Sequence, residues 1–264
     1  MVAEMPSKRQ TVVFADADAL PAGGLEAIAQ AALPVVLCSS QTRAEVEIRQ
    51  QELSIRQPFI SENGSAAFLP RGYFDFEAPQ ARPVAAYDVI EFGRPLDEIS
   101  RELHRVAAAL RLPVAAFSRM SVEEVAQDCH LPLLRARLAK LREYQDVVRP
   151  LTPQMSVRSQ LRKALRLARL SYVERGRYDH VGRGTNPSAA VAAVSRLFRR
   201  ACGSILTVAI AEDAPQGWFV PPVDCYIRVP RGAPDSGWNP ADWLDKLVDR
   251  LRKLNKTGFV QSAF

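Results

Sequence analysis

Asp16-Ala17-Asp18 closes a run of apolar and β-branched residues, Thr11-Val12-Val13-Phe14-Ala15. Two carboxylates in an Asp-x-Asp spacing on an extended exit fall on roughly one side of the chain. Ser39-Ser40 closes a second apolar run at 33–38, and Asp213 follows a third at 204–210. Carboxylates gathered at one sheet edge repel unless a hard cation neutralises them. Magnesium takes oxygen ligands and keeps water and phosphate in its shell. Asp16, Asp18 and Asp213 are therefore candidate metal ligands. Aspartate is also common in ordinary strand-end turns, so the pattern alone leaves metal chemistry and turn-making both open.

The elements that must hold these residues follow from hydrophobic periodicity. Residues 11–15, 33–38 and 204–210 read as buried strands, and helices are expected at 25–32 and 42–53. Uninterrupted apolar strands alternating with helices mark a parallel sheet covered on both faces. Ligands of such sheets sit beyond the carboxyl ends of the strands. The fold class is thus α/β, a Rossmann-like parallel-sheet core. Asn63-Gly64 between two apolar segments predicts a hairpin. Pro70, Gly72, Pro79 and Pro83 then predict a domain boundary near residue 82.

Beyond that point strands and helices interleave. A strand is expected at 84–92, a helix at 96–110, a strand at 113–117 and a capping box at Ser121 and Glu124. Helices at 131–141 and 152–170 follow, then a hairpin about Gly176. This describes an α+β insert over 83–183 within a core made of 1–82 and 184–264. Asn186-Pro187 starts a helix reaching about residue 200. A strand at 225–229 and a helix at 240–254 close the chain.

Composition excludes several classes. The 264 residues are 47% hydrophobic, which rules out a disordered chain. The formal charge of +6 favours anionic partners without singling out nucleic acid. No apolar run is long enough to span a membrane. Residues 1–10 are polar and lack a signal-peptide core, so a cytoplasmic location is expected. The four cysteines form no CxxC pair, so free thiols are expected rather than a zinc site. Cys38 reads as an inert buried thiol and His180 as a structural hydrogen-bonding residue. Arg158, Arg162, Lys163, Arg166 and Arg169 line one face of a helix opposite Leu161 and Leu165. That stripe is either a solvated face or a surface attracting an anionic substrate. Aromatic residues are not interleaved with it, which disfavours nucleic acid.

Phe14-Ala-Asp16-Ala-Asp18, Leu37-Cys-Ser39-Ser-Gln-Thr-Arg-Ala-Glu45 and Glu62-Asn-Gly64 resemble the haloacid dehalogenase (HAD) superfamily with a type IIB cap. Segments 35–45, 58–64, 70–74, 120–126, 139–144 and 237–239 resemble, more closely, the mannosyl-3-phosphoglycerate phosphatase family. The resemblance runs from about residue 11 to 250. It implies Mg2+-dependent hydrolysis of a phosphorylated sugar acid, a small-molecule phosphomonoester, through an aspartyl-phosphate. On it, Asp16 is the nucleophile. Asp18 protonates the leaving oxygen and then helps activate water, and Ser39 hydrogen-bonds the phosphoryl group. Asp16, the Asp18 carbonyl and Asp213 hold the metal. Ser40, Asn63, Arg142, Glu143 and Arg183 are the implied substrate-binding residues.

The chain departs from that family at several places. Ala19-Leu20 replaces a Gly-Thr pair, and Leu141 replaces a glutamine before Arg142. Residues 185–188 hold no lysine, leaving Arg183 as the nearby cation, and Gly217 stands where a metal-side acid is expected. Two readings stay open: a phosphatase, weakened by these losses, and a non-catalytic relative that binds a phosphorylated metabolite or a protein partner.

Overall fold

The computed structural model describes residues 9–152, 154–212, 223–230 and 239–257. The elements in the first part of the chain are β1 (Gln10–Asp16), α1 (Gly24–Ala29), β2 (Val35–Cys38), α2 (Arg43–Glu52), β3 (Phe59–Ser61), β4 (Ala66–Pro70), β5 (Arg82–Val84) and β6 (Tyr87–Glu91). Next come α3 (Leu96–Ala109), β7 (Val114–Ala116), α4 (Val122–Cys129), α5 (Leu133–Ala139), β8 (Asp146–Pro150), α6 (Met155–Leu167), β9 (Ser171–Arg175) and β10 (Tyr178–Gly182). The chain continues with α7 (Pro187–Cys202), β11 (Ile205–Ala211), β12 (Cys225–Arg228) and α8 (Pro240–Thr257).

An eight-stranded sheet runs β12-β11-β1-β2-β3-β4-β6-β5. Its pairs from β12 to β3 are parallel, and the pairs from β3 to β5 are antiparallel. Alternate residues of each apolar run face opposite ways, as strand geometry requires. Val13, Ala15, Leu37 and Ile210 pack with Leu25 and Ile28 of α1 and with Leu247 and Leu251 of α8. Val12, Phe14, Val36 and Ala209 pack with Val191, Val194 and Phe198 of α7. Both faces are covered, which explains the lack of charged residues inside these strands.

The insert carries an antiparallel sheet of order β7-β8-β10-β9. Helices α3 and α6 cover one face through Leu103, Leu161 and Leu165. Helices α4 and α5 cover the other through Val125 and Ala136 against Phe117 and Tyr178. The capping box at Ser121 and Glu124 is formed. Strand β8 had no sequence signal, because only Val147 and Val148 interrupt Asp146, Arg149 and Pro150. The strand expected at 84–92 as the first element of the insert belongs to the larger sheet instead. Its β6 portion pairs with β4, and β5 extends that edge. Of the prolines that suggested a break at 82, Pro83 lies in the edge strand β5, where proline is tolerated.

The chain leaves the larger sheet at Phe92-Gly93 and returns at Arg183-Gly184. The Phe92 and Gly93 N–H groups both donate to the Ser65 carbonyl at 2.8 Å, and the Arg94 N–H donates to the Arg183 carbonyl at 2.9 Å. The β3–β4 turn lies against the same region. Gly64 has φ 80°, and an added Cβ would stand 2.3 Å from Pro187 Cα. Gly64→Ala is expected to destabilise the chain by about 1–3 kcal/mol or more. Urea denaturation of the variant beside the parent measures this; an unchanged midpoint would refute the close approach of the turn to α7.

Candidate active site

Asp16 is the last residue of β1, buried, where the central strand emerges from the sheet. Its Oδ1 accepts the Asp18 N–H at 3.1 Å. The Ala19 N–H donates to the Asp16 carbonyl at 3.2 Å. Ala19 is not among the residues with positive φ, so the turn closes without needing a glycine there. Leu20 packs into the apolar cluster shared by α1 and α8, beside Trp243 and Leu244.

The parallel register places Asp16 opposite Cys38, so β2 ends beside β1 and Ser39 follows. The Asp18 carboxylate accepts the Ser39 hydroxyl at 2.8 Å and the Ser40 N–H at 2.7 Å. Ser39 Oγ in turn accepts the Gln41 N–H at 3.1 Å. The structure thus brings together Asp16, Asp18, Ser39 and Ser40. The Ser39 hydroxyl, expected to meet a phosphoryl group, is given to Asp18. Burial pushes the Cys38 thiol well above its ordinary range, and the neighbouring Asp16 and Asp18 add to the shift. This is an inert thiol, and Cys38, Cys129, Cys202 and Cys225 are all free.

The insert meets this site through residues 138–145. Thr42 Oγ1 donates to the Leu138 carbonyl at 3.0 Å, and Arg142 Nη2 donates to the Ser40 carbonyl at 3.0 Å. The Arg142 side chain is only 6% exposed, so it ties the two bodies together at the seam rather than standing open to a ligand. Glu143 ion-pairs with Arg43 at 3.0 Å. Burial raises the Glu143 carboxyl, Arg43 opposes that, and Glu62 adds to it. Asn63 is also buried: its Nδ2 donates to Gln145 Oε1 at 2.7 Å and lies 3.1 Å from His180 Nδ1. Gln145 Oε1 also reaches His180 Nδ1, at 3.3 Å, so the ring is held by buried hydrogen bonds, a structural role for His180. Gln145 and Thr185 complete this network through a 3.2 Å bond, and neither carried a sequence signal.

Arg183 is placed apart from this group. Its Nη2 donates to the Ala168 carbonyl at the end of α6 at 2.9 Å, and its charge bears on Glu102 of α3. The cationic stripe on α6 is partly neutralised: Arg158 bonds Asp179, and Arg162 pairs with Glu174. Asp213 and Gly217 lie outside the described residues. The oxygen donors of Asp16 and the Asp18 carbonyl fit the hard-ligand preference of magnesium. Among the described residues no group of three or more His, Cys, Asp or Glu could hold a metal.

No family model matches the chain. A glucosyl-3-phosphoglycerate/mannosyl-3-phosphoglycerate phosphatase from Persephonella marina is 31% identical over 217 residues, covering 81% of this chain and 77% of that one. The chain belongs to this phosphatase family. The family phosphatase of the same description from Methanococcoides burtonii is 29% identical over 244 residues, covering 88% and 89% of the two chains. Among solved structures, a HAD-superfamily phosphatase from Bacteroides thetaiotaomicron has TM-score 0.55 at 13% identity, covering 98% of this chain and 100% of its own. A HAD subclass IIB sugar phosphatase has TM-score 0.50 at 12% identity, covering 93% and 99%. These two likenesses establish the HAD fold with its cap, and the insert is that cap. Among the described residues no helix is long and apolar enough to cross a membrane.

The buried Asn63–Gln145–His180 network is the polar centre of the core–cap seam. Asn63→Leu removes the buried donor that Gln145 Oε1 and His180 Nδ1 share. The expected cost is about 1–3 kcal/mol, read by urea denaturation. A change within error would mean the network is wet or dispensable.

Proposed function

We propose that the chain hydrolyses the phosphomonoester of a sugar-acid phosphate, with glucosyl- or mannosyl-3-phosphoglycerate as the leading substrates. Family membership supports the substrate class. The observation that carries the chemistry is the pairing of Asp16 and Asp18 at the exit of the central strand, with Asp18 held by Ser39 and Ser40.

Asp16 is the nucleophile: a carboxylate oxygen bonds to phosphorus as the bond to the leaving glycerate oxygen breaks. Asp18 gives its proton to that oxygen. It then takes a proton from the water that attacks phosphorus and releases Asp16 and inorganic phosphate. Ser39 and the Ser40 N–H orient Asp18 for both transfers, and Arg142 and Glu143 hold the cap against the loop that carries them. Asp16, the Asp18 carbonyl and Asp213 would hold Mg2+, which when bound neutralises phosphoryl charge in a reaction dominated by positioning. Residues 185–188 offer no lysine, and Arg183 is engaged with α6. One well-placed electrostatic group is worth about 10²–10³ in rate, so turnover is slower than in a relative that keeps the lysine.

Phosphate release from both sugar-acid phosphates with magnesium is expected, and Asp16→Asn should abolish it. Binding of those compounds in a thermal-shift assay without any release would favour the binding-only reading instead. Magnesium should also raise Tm, by the equivalent of about 2.7 kcal/mol at 100-fold excess over Kd. Asp213→Ala should remove that shift; a melting curve indifferent to millimolar magnesium would sink the proposed metal site.

A further inference from the structure

Glu62 takes no part in the steps above, yet it is a fully buried acid at the seam between core and cap. Its Oε1 accepts the Glu143 N–H at 2.8 Å, and its Oε2 accepts the N–H groups of Tyr144 at 3.1 Å and Gln145 at 2.8 Å. Arg142 Nη1 lies 3.6 Å from Oε2, with side-chain exposures of 6% and 0% for the two residues. Nε and Nη1 of Arg142 have no hydrogen-bond partner among the described residues. A buried guanidinium needs a counter-charge, and Glu62 is the acid that supplies it. Burial raises the Glu62 carboxyl, while Arg142 and the three amides pull it down.

The turn carrying Glu62 is itself clamped to the catalytic loop. Glu62 and Asn63 have φ 45° and 55°, a left-handed conformation uncommon for residues other than glycine and asparagine. The Glu62 N–H donates to the Gln41 carbonyl at 3.0 Å, and the Asn63 N–H to the Ser39 carbonyl at 3.1 Å. A continuous path then leads back to the site. Arg142, facing Glu62, donates to the Ser40 carbonyl, and the Ser40 N–H donates to Asp18.

We propose that Glu62 is a positioning residue: from the β3–β4 turn it fixes cap residues 143–145 and aims Arg142 at the Ser40 carbonyl, so setting the N–H that orients Asp18. Its kinetic consequence rests on the phosphatase reading; its placement does not. A mispositioned Asp18 matters most where the leaving oxygen needs a proton, as in a sugar-acid phosphate. It matters least for p-nitrophenyl phosphate, whose leaving group departs without one. General loss of structure would depress both substrates equally.

The test compares Glu62→Gln, Glu62→Asp and Arg142→Met with the parent in the full chain. Glu62→Gln should speed hydrogen exchange at the amides of 143–145 by about 10²-fold, since local opening becomes easier. It should lower kcat on mannosyl-3-phosphoglycerate by about 10²-fold, the scale of a small misplacement, with a loss at least several-fold smaller on p-nitrophenyl phosphate. Glu62→Asp keeps the charge and should give intermediate values if Glu62→Gln fails to fold. Arg142→Met should reproduce the substrate-dependent loss while leaving exchange at 143–145 slow. Equal losses on both substrates, or unchanged exchange in the Glu62 variants, would overturn the proposal. If the parent turns over neither substrate, the phosphatase reading has failed and exchange alone decides the role of Glu62.

Discussion

Strand β1 has no free edge and no free face. It is paired with β11 from Gln10 to Ala15 and with β2 from Val13 to Asp16, and helices cover both sides. An ionisable side chain inside such a strand would be desolvated without a partner. Carboxylates can appear only where the strand emerges, and there two of them appear within three residues. The register with β2 then determines what surrounds them. Cys38 sits opposite Asp16, so the next residues, Ser39 and Ser40, reach Asp18. A slip of one residue would reverse the facing of every β2 side chain and dissolve the cluster.

The seam between core and cap shows a gradient of electrostatic environment. The Arg135–Glu52 pair at 3.6 Å is exposed, and the Arg43–Glu143 pair at 3.0 Å is half-buried. Such pairs add little stability. The Glu62–Arg142 contact is sealed from water, so neither partner is well accommodated alone. Its neighbours are directional: three backbone N–H groups, the Ser40 carbonyl, and the Tyr144 hydroxyl donating to Glu91 at 2.6 Å. Rim charges tolerate many relative placements of two bodies, whereas this buried set is satisfied in one.

The parts of this arrangement legible in the sequence were local ones. The runs before Asp16 and Ser39, the Asn63-Gly64 turn and the Asn186-Pro187 helix start each carry their signal within a few residues. Strand β8 was missed because its pattern is half polar and its burial comes from sheet partners distant in sequence. The strand expected at 84–92 was placed in the insert rather than the larger sheet because Pro83, which marks the edge strand β5, reads as readily as a boundary. The roles of Arg142, Asn63 and Arg183 changed for one reason. Each is fixed by a contact across the seam or within the cap, and spacing along the chain does not encode such contacts. Glu62 stands in a motif whose Asn-Gly pair already had a sufficient local explanation, while its partners lie some eighty residues away.

The two crossings between core and cap run side by side, joined by the Arg94–Arg183 hydrogen bond and by close packing of Gly184 on the Phe92 carbonyl. To the larger sheet, the whole insert is therefore equivalent to a short loop whose ends already meet. The entropy of closing a loop grows only logarithmically with its length. Enlarging, shrinking or replacing what hangs from these two strands leaves the register of β1 and β2 untouched. A lineage can thus retool what its cap admits while inheriting the carboxylate pair unchanged.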